Sequence, residues 1–124
     1  MNDLDFLGLV SHETKVTALV PGQYLFQKGD SADAMYVVRS GELQIGDGNL
    51  VFEVVSEGGV IGEMAIVDGQ PRSACVTAKT EADVIRIDQA RFLKMIQYAP
   101  FFAIRVMQVL SLRLRAMNEL VSQL

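Results

Sequence analysis

A glutamate and an arginine, Glu63 and Arg72, stand nine positions apart in a stretch that is rich in glycine. Gly58, Gly59 and Gly62 allow the backbone to approach a ligand closely, and a helical turn after Gly62 would point free N–H groups at an anion. Arg72 adds a permanent cation whose planar fork of donors suits phosphate oxygens. Because a phosphate would repel Glu63, this carboxylate needs a donor such as a ribose hydroxyl. Together these residues predict a site for a sugar phosphate.

Each of these residues has a more ordinary interpretation when it is taken alone. An isolated arginine after Pro71 is most often a solvated turn residue. A glutamate at a helix start usually gains only about 0.3–1 kcal/mol from the helix dipole. Cys75 is expected to be a small buried hydrophobe rather than a reactive thiol. The joint pattern of Glu63, Arg72 and the glycines therefore carries the sugar-phosphate hypothesis.

Composition excludes several classes of protein. The 124 residues favour a single domain, and the net charge of −4 argues against a general nucleic-acid-binding surface. The single cysteine cannot form an internal disulfide, and Asp3 and Asp5 stand where a signal peptide would carry positive charge. No uncharged run approaches the roughly 18 residues of a membrane span. We therefore expect a cytoplasmic location and no membrane insertion.

The chain from Lys15 to Ile87 consists of short β-rich runs separated by turns that contain glycine. This spacing predicts a β-sandwich or roll. The sequence GDGN at 46–49 predicts a hairpin between two of the strands. The predicted strands are VTALV, YLF, AMYVVRS, ELQI, LVFEVV, SACVTA and DVIRI.

The pattern changes to helical after Ile87. Asp88 can cap a helix that runs to about Tyr98, and Pro100 interrupts it before a second helix begins at about Phe101. The predicted fold is mainly β with flanking helices. A single domain is expected over 1–124, with a β-roll over about 16–87 and C-terminal helices over about 88–124.

The stretch GEMAIVDGQPRSA resembles the phosphate-binding cassette of the cyclic nucleotide-binding domain family. That family includes bacterial catabolite activator proteins, regulatory subunits of cAMP-dependent kinase, and nucleotide-gated channels. The resemblance extends to PGQYLFQKGDSADAMYVVRSGEL, Pro21 to Leu43, and covers roughly Val16 to Leu124. The family pattern G-E-x-A followed by R-[STA]-A is matched by Gly62, Glu63, Ala65, Arg72, Ser73 and Ala74, with Met64 at the variable position.

The resemblance implies both a fold and a role for each cassette residue. The implied fold is an eight-stranded β-roll, a double-stranded β-helix of the jelly-roll kind, followed by C-terminal helices. Arg72 would bind the cyclic phosphate, Glu63 would accept a hydrogen bond from the ribose 2′-OH, and Ser73 would contact the phosphate or the base. The spacing of nine between Glu63 and Arg72 is similar to the kinase subunits, and the serine after Arg72 is similar to the bacterial activators. The implied ligand is cAMP, with cGMP left open, and neither a further cofactor nor a metal is expected.

Apolar residues on the last predicted helix alternate at spacings of three and four, like the a and d positions of a coiled coil. The seam covers about two and a half heptads, fewer than the roughly three to four that indicate a coiled coil. A homodimer through the C-terminal helix and packing on the β-roll therefore both remain open. By resemblance, this helix would place Arg113 near Glu63, and Met117 and Asn118 over the base. The seam consists of Met107, Leu110, Leu114, Met117, Val121 and Leu124.

These observations favour a non-catalytic regulatory domain, a ligand sensor that binds a cyclic nucleotide and repositions its C-terminal helices. The alternatives are a sensor fragment of a larger transcription factor, channel or transporter, or a family member whose cassette binds another ligand. A metal-dependent cupin is not expected, because the chain has a single histidine. We find no Ser/His/Asp or Cys/His set that would supply catalytic residues. No recognition helix follows the predicted domain, so this chain alone is not expected to bind nucleic acid.

Overall fold

The computed structural model describes Val10 and residues 15–124. Within this part of the chain, eight strands pair antiparallel in two four-stranded sheets, with the orders β1-β8-β3-β6 and β2-β7-β4-β5. Two longer helices follow the last strand, and a short one interrupts the strands. The predicted β-roll with C-terminal helices is thus confirmed. The strands are β1 (Thr17–Leu19), β2 (Tyr24–Phe26), β3 (Ala34–Ser40), β4 (Leu43–Asp47), β5 (Leu50–Val55), β6 (Val60–Ile61), β7 (Cys75–Ala78) and β8 (Ala82–Asp88), and the helices are α1 (Glu63–Asp68), α2 (Gln89–Tyr98) and α3 (Phe101–Ser122).

Strand β3 joins the two layers of the hydrophobic core because it is buried on both faces. Met35 and Val37 pack in a cluster with Phe92 and Phe102 of the helices. Val38 points to the opposite face and belongs to the cluster between the two sheets. The central position of β3 also holds its first residue, Ala34, in place, and the backbone of this residue contributes to the candidate site.

Each of the seven predicted strands overlaps an observed strand, and the structure adds an eighth. The missed strand, β6, has only two residues, too few for an alternating pattern to reveal it. It pairs with β3 through Tyr36 and Ile61. The GDGN hairpin is confirmed, since Asp47 of β4 lies opposite Leu50 of β5.

The two C-terminal helices begin and end close to where the sequence predicts. The Asp88 side chain caps α2 by accepting a hydrogen bond of 2.8 Å from the backbone N–H of Arg91. The helix ends before Pro100, and α3 then buries Phe102 and Val106 against the roll. Among the described residues, no single helix is long and apolar enough to cross a membrane. Of the helix pairs in this part of the chain, only α2 and α3 reach that length and apolar composition together, and they are bent by 118° relative to each other.

Candidate functional site

The cassette folds as strand β6, the short helix α1, a loop and strand β7. Gly62 makes the turn into α1 with a φ of 80°, a conformation that favours glycine. The loop after α1 is fixed through the backbone of Arg72. Its N–H donates to the carbonyl of Asp30 at 2.9 Å, and its carbonyl accepts from the N–H of Gly29 at 2.8 Å. The KGD turn after β2 therefore determines where the arginine side chain starts.

The guanidinium of Arg72 is buried, with 6% of the residue exposed. Its Nη2 donates to the carbonyl of Ala34 at 2.7 Å, and its Nη1 donates to the carbonyl of Gly62 at 3.3 Å. The Cζ lies 4.0 Å from the centroid of the Phe26 ring, a cation–π contact. Its Nε is buried and has no hydrogen-bond partner. The side chain is held in place by neutral groups and keeps one donor unsatisfied.

No carboxylate in the described part of the chain forms an ion pair with Arg72. Burial lowers the pKa of its guanidinium, and the charges of nearby groups such as Tyr36 and Asp33 oppose this shift only in part. Neutral hydrogen-bond partners replace only part of the hydration that a buried charge loses, so the charge itself stays uncompensated. An anionic ligand beside Arg72 would therefore supply a charge that the protein itself does not.

The second charged group of the site is Glu63, which is buried at the start of α1. Its Oε1 accepts a hydrogen bond of 2.5 Å from Nη1 of Arg113, a residue of α3. The same guanidinium also contacts Glu53 and the carbonyl of Val60. Burial would lower the pKa of Arg113, but the hydrogen bond to Glu53 and the charge of Glu63 outweigh it, so this pKa is raised.

A single cavity brings the predicted cassette residues together. Gly62, Glu63, Met64 and Ala65 line it from one side, and Arg72, Ser73 and Ala74 line it from the other, with Arg113 beside Glu63. The two sheets contribute an apolar part of the wall, and the end of α1 and the loop after it contribute the rest. A cation, a carboxylate and an apolar wall around one cavity suit a ligand that has an anionic group, a hydroxyl and a ring system. The further lining residues are Phe26, Ile45, Ile61, Asp68, Gln70, Pro71 and Val76.

The two residues expected to cap the base lie elsewhere. Met117 and Asn118 follow Arg113 on α3 by about one turn, are exposed to solvent, and do not line the cavity. Arg113 itself lies where the sequence analysis expects it, beside Glu63. The structure thus brings together the cassette residues and Arg113, and it leaves the expected cap outside the site.

Two residues of the site escape the sequence analysis. Phe26 stacks on Arg72, and Glu53 pairs with Arg113. The YLF pattern predicts a strand but not a partner for its phenylalanine. The contact of the Phe26 ring with Arg72 and its place in the cavity wall appear only in the structure. Sequence spacing gives no signal for Glu53. Among Val10 and residues 15–124, no cluster of His, Cys, Asp or Glu side chains could hold a metal ion.

Comparisons with known proteins identify the family of the chain. Residues 16–99 match the family model of the cyclic nucleotide-binding domain. The regulatory subunit of cAMP-dependent protein kinase from Emericella nidulans is 35% identical over 77 residues, which is 60% of this chain but only 19% of that relative. The chain thus spans about a fifth of the length of that relative.

Solved structures show the same fold. The catabolite activator protein of Thermus thermophilus superposes with a TM-score of 0.78 at 23% identity, over 88% of this chain and 54% of that one. The EAL enzyme Bd1971 in its cAMP-bound form gives a TM-score of 0.64 at 26% identity, over 88% of this chain and 31% of that one. The family model covers well over half of the chain, and the cassette that it implies lines one cavity. The chain therefore belongs to the cyclic nucleotide-binding domain family.

Proposed function

We propose that the cavity binds cAMP in preference to cGMP, and that the domain acts as a non-catalytic regulatory module. The observation that carries this proposal is the buried guanidinium of Arg72, which has no ion-pair partner among the described residues and faces the same cavity as Glu63. A cyclic phosphate would supply the missing negative charge. The ribose 2′-OH would donate to Glu63.

The known relatives bear on the choice between cAMP and cGMP. The curated relative is a regulatory subunit of cAMP-dependent kinase, whereas Bd1971 has been solved in both cAMP-bound and cGMP-bound forms. The exposed Ser73 hydroxyl at the cavity would serve either a phosphate oxygen or the amino group of guanine. Titration calorimetry with both nucleotides tests this preference directly.

The variant Arg72→Leu tests the phosphate site. Removing one partner of a buried charge pair costs about 2–5 kcal/mol, so the Kd for cAMP should rise by roughly 30-fold or more. Arg39→Leu is the matched control, because Arg39 is exposed on β3 and does not line the cavity. Titration calorimetry should show normal binding for this control. An unchanged Kd in Arg72→Leu would contradict the assignment.

The same substitution should also destabilise the protein before any ligand is added. The sequence alone predicts little effect on stability, but Arg72 donates to the carbonyls of Ala34 and Gly62 and stacks on Phe26. Leaving a buried carbonyl without its donor costs about 1–3 kcal/mol. Binding measurements should therefore be made well below the unfolding transition of the variant.

We further propose that the ligand repositions α3 and that this helix forms a homodimer. From Leu114 to Leu124 every residue of the chain is exposed, including Leu114 and Val121, each with 62% of its surface exposed. Packing on the roll therefore does not account for the end of the apolar seam. A second copy of the same helix would cover this face through its a and d positions. Light scattering should give the mass of two chains, and a monomer at high concentration would contradict the dimer.

A movement of α3 toward the cavity would also bring Met117 and Asn118 nearer to the base. Arg113 is the connection, because it joins α3 to Glu63 inside the site. We propose a cytoplasmic regulatory role of this kind, in which the helix reports whether the cavity is filled. Comparing hydrogen exchange of α3 with and without cAMP would test it, and identical exchange in both states would contradict it.

A further inference from the structure

Arg113 separates two carboxylates and uses different edges of its guanidinium for each. The edge formed by Nε and Nη2 contacts Glu53, with Nε 2.8 Å from Oε1 and Nη2 3.2 Å from Oε2. Nη2 also donates to the carbonyl of Val60 at 2.7 Å. Only Nη1 contacts Glu63, and it does so through Oε1. The bidentate contact of Arg113 is thus made with Glu53, outside the nucleotide cavity.

The way in which Arg113 divides its donors between Glu53 and Glu63 bears on ribose recognition, because a carboxylate has only two oxygens. A guanidinium edge that is free tends to take both oxygens of a neighbouring carboxylate in a bidentate pair. If Arg113 bound Glu63 in that way, both oxygens of Glu63 would share their acceptor sites with the guanidinium, whereas the observed contact uses Oε1 and leaves Oε2 free of Arg113. Glu53 occupies the edge formed by Nε and Nη2, and the carbonyl of Val60 accepts the other Nη2 hydrogen, so Nη1 is the donor that remains for Glu63.

We propose that Glu53 is a positioning residue for ribose recognition, because its bidentate pair with Arg113 holds the guanidinium where Nη2 also meets the carbonyl of Val60 and only Nη1 reaches Glu63. The proposal rests on the proposed function, in which Glu63 accepts from the ribose 2′-OH. Glu53 lies on β5 and Arg113 on α3, so the same pair also joins the helix to the sheet.

The pair differs from the surface ion pairs of this protein in its geometry and burial. In the ion pairs Lys28–Asp47 and Arg86–Asp33, every side chain is at least 45% exposed, and such pairs contribute little to stability. The Arg113 side chain is 19% exposed and the Glu53 side chain 41%, so the burial of this pair is mainly that of Arg113, which contacts both carboxylates directly. A guanidinium held from two sides in this way has little freedom to change partners.

The test uses Glu53→Gln, measured by calorimetry with cAMP and with 2′-deoxy-cAMP. In the wild type, the charge-assisted hydrogen bond to Glu63 should make the deoxy ligand about 10- to 100-fold weaker. In Glu53→Gln, we expect the Kd for cAMP to rise about tenfold, whereas that for 2′-deoxy-cAMP stays within about threefold, because only cAMP loses a contact. Glu57→Gln is the matched control, since Glu57 and Glu53 line a second cavity outside the nucleotide site and, in the described part of the chain, Glu57 forms no ion pair with Arg113.

Two outcomes would overturn the role of Glu53 alone. In the first, both Kd values in Glu53→Gln stay as in the wild type; in the second, both rise by the same factor. Either result leaves the preference for cAMP over 2′-deoxy-cAMP unchanged and would show that Glu53 does not act through the ribose. A wild-type protein that binds neither cAMP nor cGMP would instead overturn the proposed function, and this inference with it. These results are therefore distinguishable in a single set of titrations.

A second measurement needs no ligand. The Nε–H of Arg113 donates to Glu53, so its ¹H–¹⁵N resonance should shift in Glu53→Gln and stay in place in Glu57→Gln. A resonance that is the same in both variants would show that the pair does not persist in solution. That result would overturn the proposal whatever the affinities are.

Discussion

The substitution Gly62→Ala should displace Arg72 and thereby damage the site, because the added Cβ would enter the space that the guanidinium occupies. Gly62 has a φ of +80°, and a Cβ at this position would lie 2.5 Å from Nη1 of Arg72 and 3.4 Å from the carbonyl oxygen of Ala34. The first distance is far below van der Waals contact, so the guanidinium must move. The glycine therefore makes room for the arginine as well as for the turn.

The expected cost has two parts, and Gly69→Ala separates them. Gly69 also has a positive φ, of +69°, but a Cβ there would meet nothing within 4 Å. Each alanine should lose about 1–2 kcal/mol from the left-handed backbone conformation alone. Gly62→Ala should lose about 1–3 kcal/mol more, because Arg72 gives up hydrogen bonds and its contact with Phe26.

Urea unfolding with linear extrapolation measures both free energies, and a double-mutant cycle isolates the contact between Gly62 and Arg72. In an Arg72→Leu background, the shorter side chain leaves space, so Gly62→Ala should cost no more than Gly69→Ala. Titration with cAMP should show weak binding for Gly62→Ala and nearly normal binding for Gly69→Ala. Equal stabilities and equal affinities of the two alanine variants would refute the reasoning.

Two further predictions concern the cation–π contact and the end of α3. Phe26→Leu removes a ring 4.0 Å from the Arg72 Cζ, and losing this contact should weaken cAMP binding by roughly 3- to 30-fold in calorimetry. Phe26→Tyr should retain affinity, and an equal effect of Tyr24→Leu, an exposed ring on the same strand, would contradict a specific role. Leu114→Glu should convert the expected dimer to a monomer in light scattering, because it places like charges in an apolar contact. Ala116→Glu, on the opposite side of the helix, should leave the dimer intact, and dissociation by both variants alike would argue against the seam.

The sequence by itself determined the elements and the cassette, because both depend on local patterns. Alternating apolar residues, turn glycines and the cap at Asp88 act over a few positions, so seven strands and the two C-terminal helices follow from them. The cassette residues from Gly62 to Ala74 are also close in sequence, and they do line one cavity. Strand β6 was missed because two residues are too few to show a period.

Only the tertiary structure decided what surrounds the two charged residues. Arg72 reaches the carbonyl of Ala34 across 38 positions of sequence, and Arg113 reaches Glu53 across 60. Neither contact follows from spacing, because the pairing of strands and the docking of α3 on the roll bring these groups together. The docking of α3 on the roll also decides that the helix is exposed beyond Arg113. A seam of apolar residues is compatible with packing on the roll or on a second helix, and the path of α3 away from the sheets leaves its last turns uncovered in the single chain.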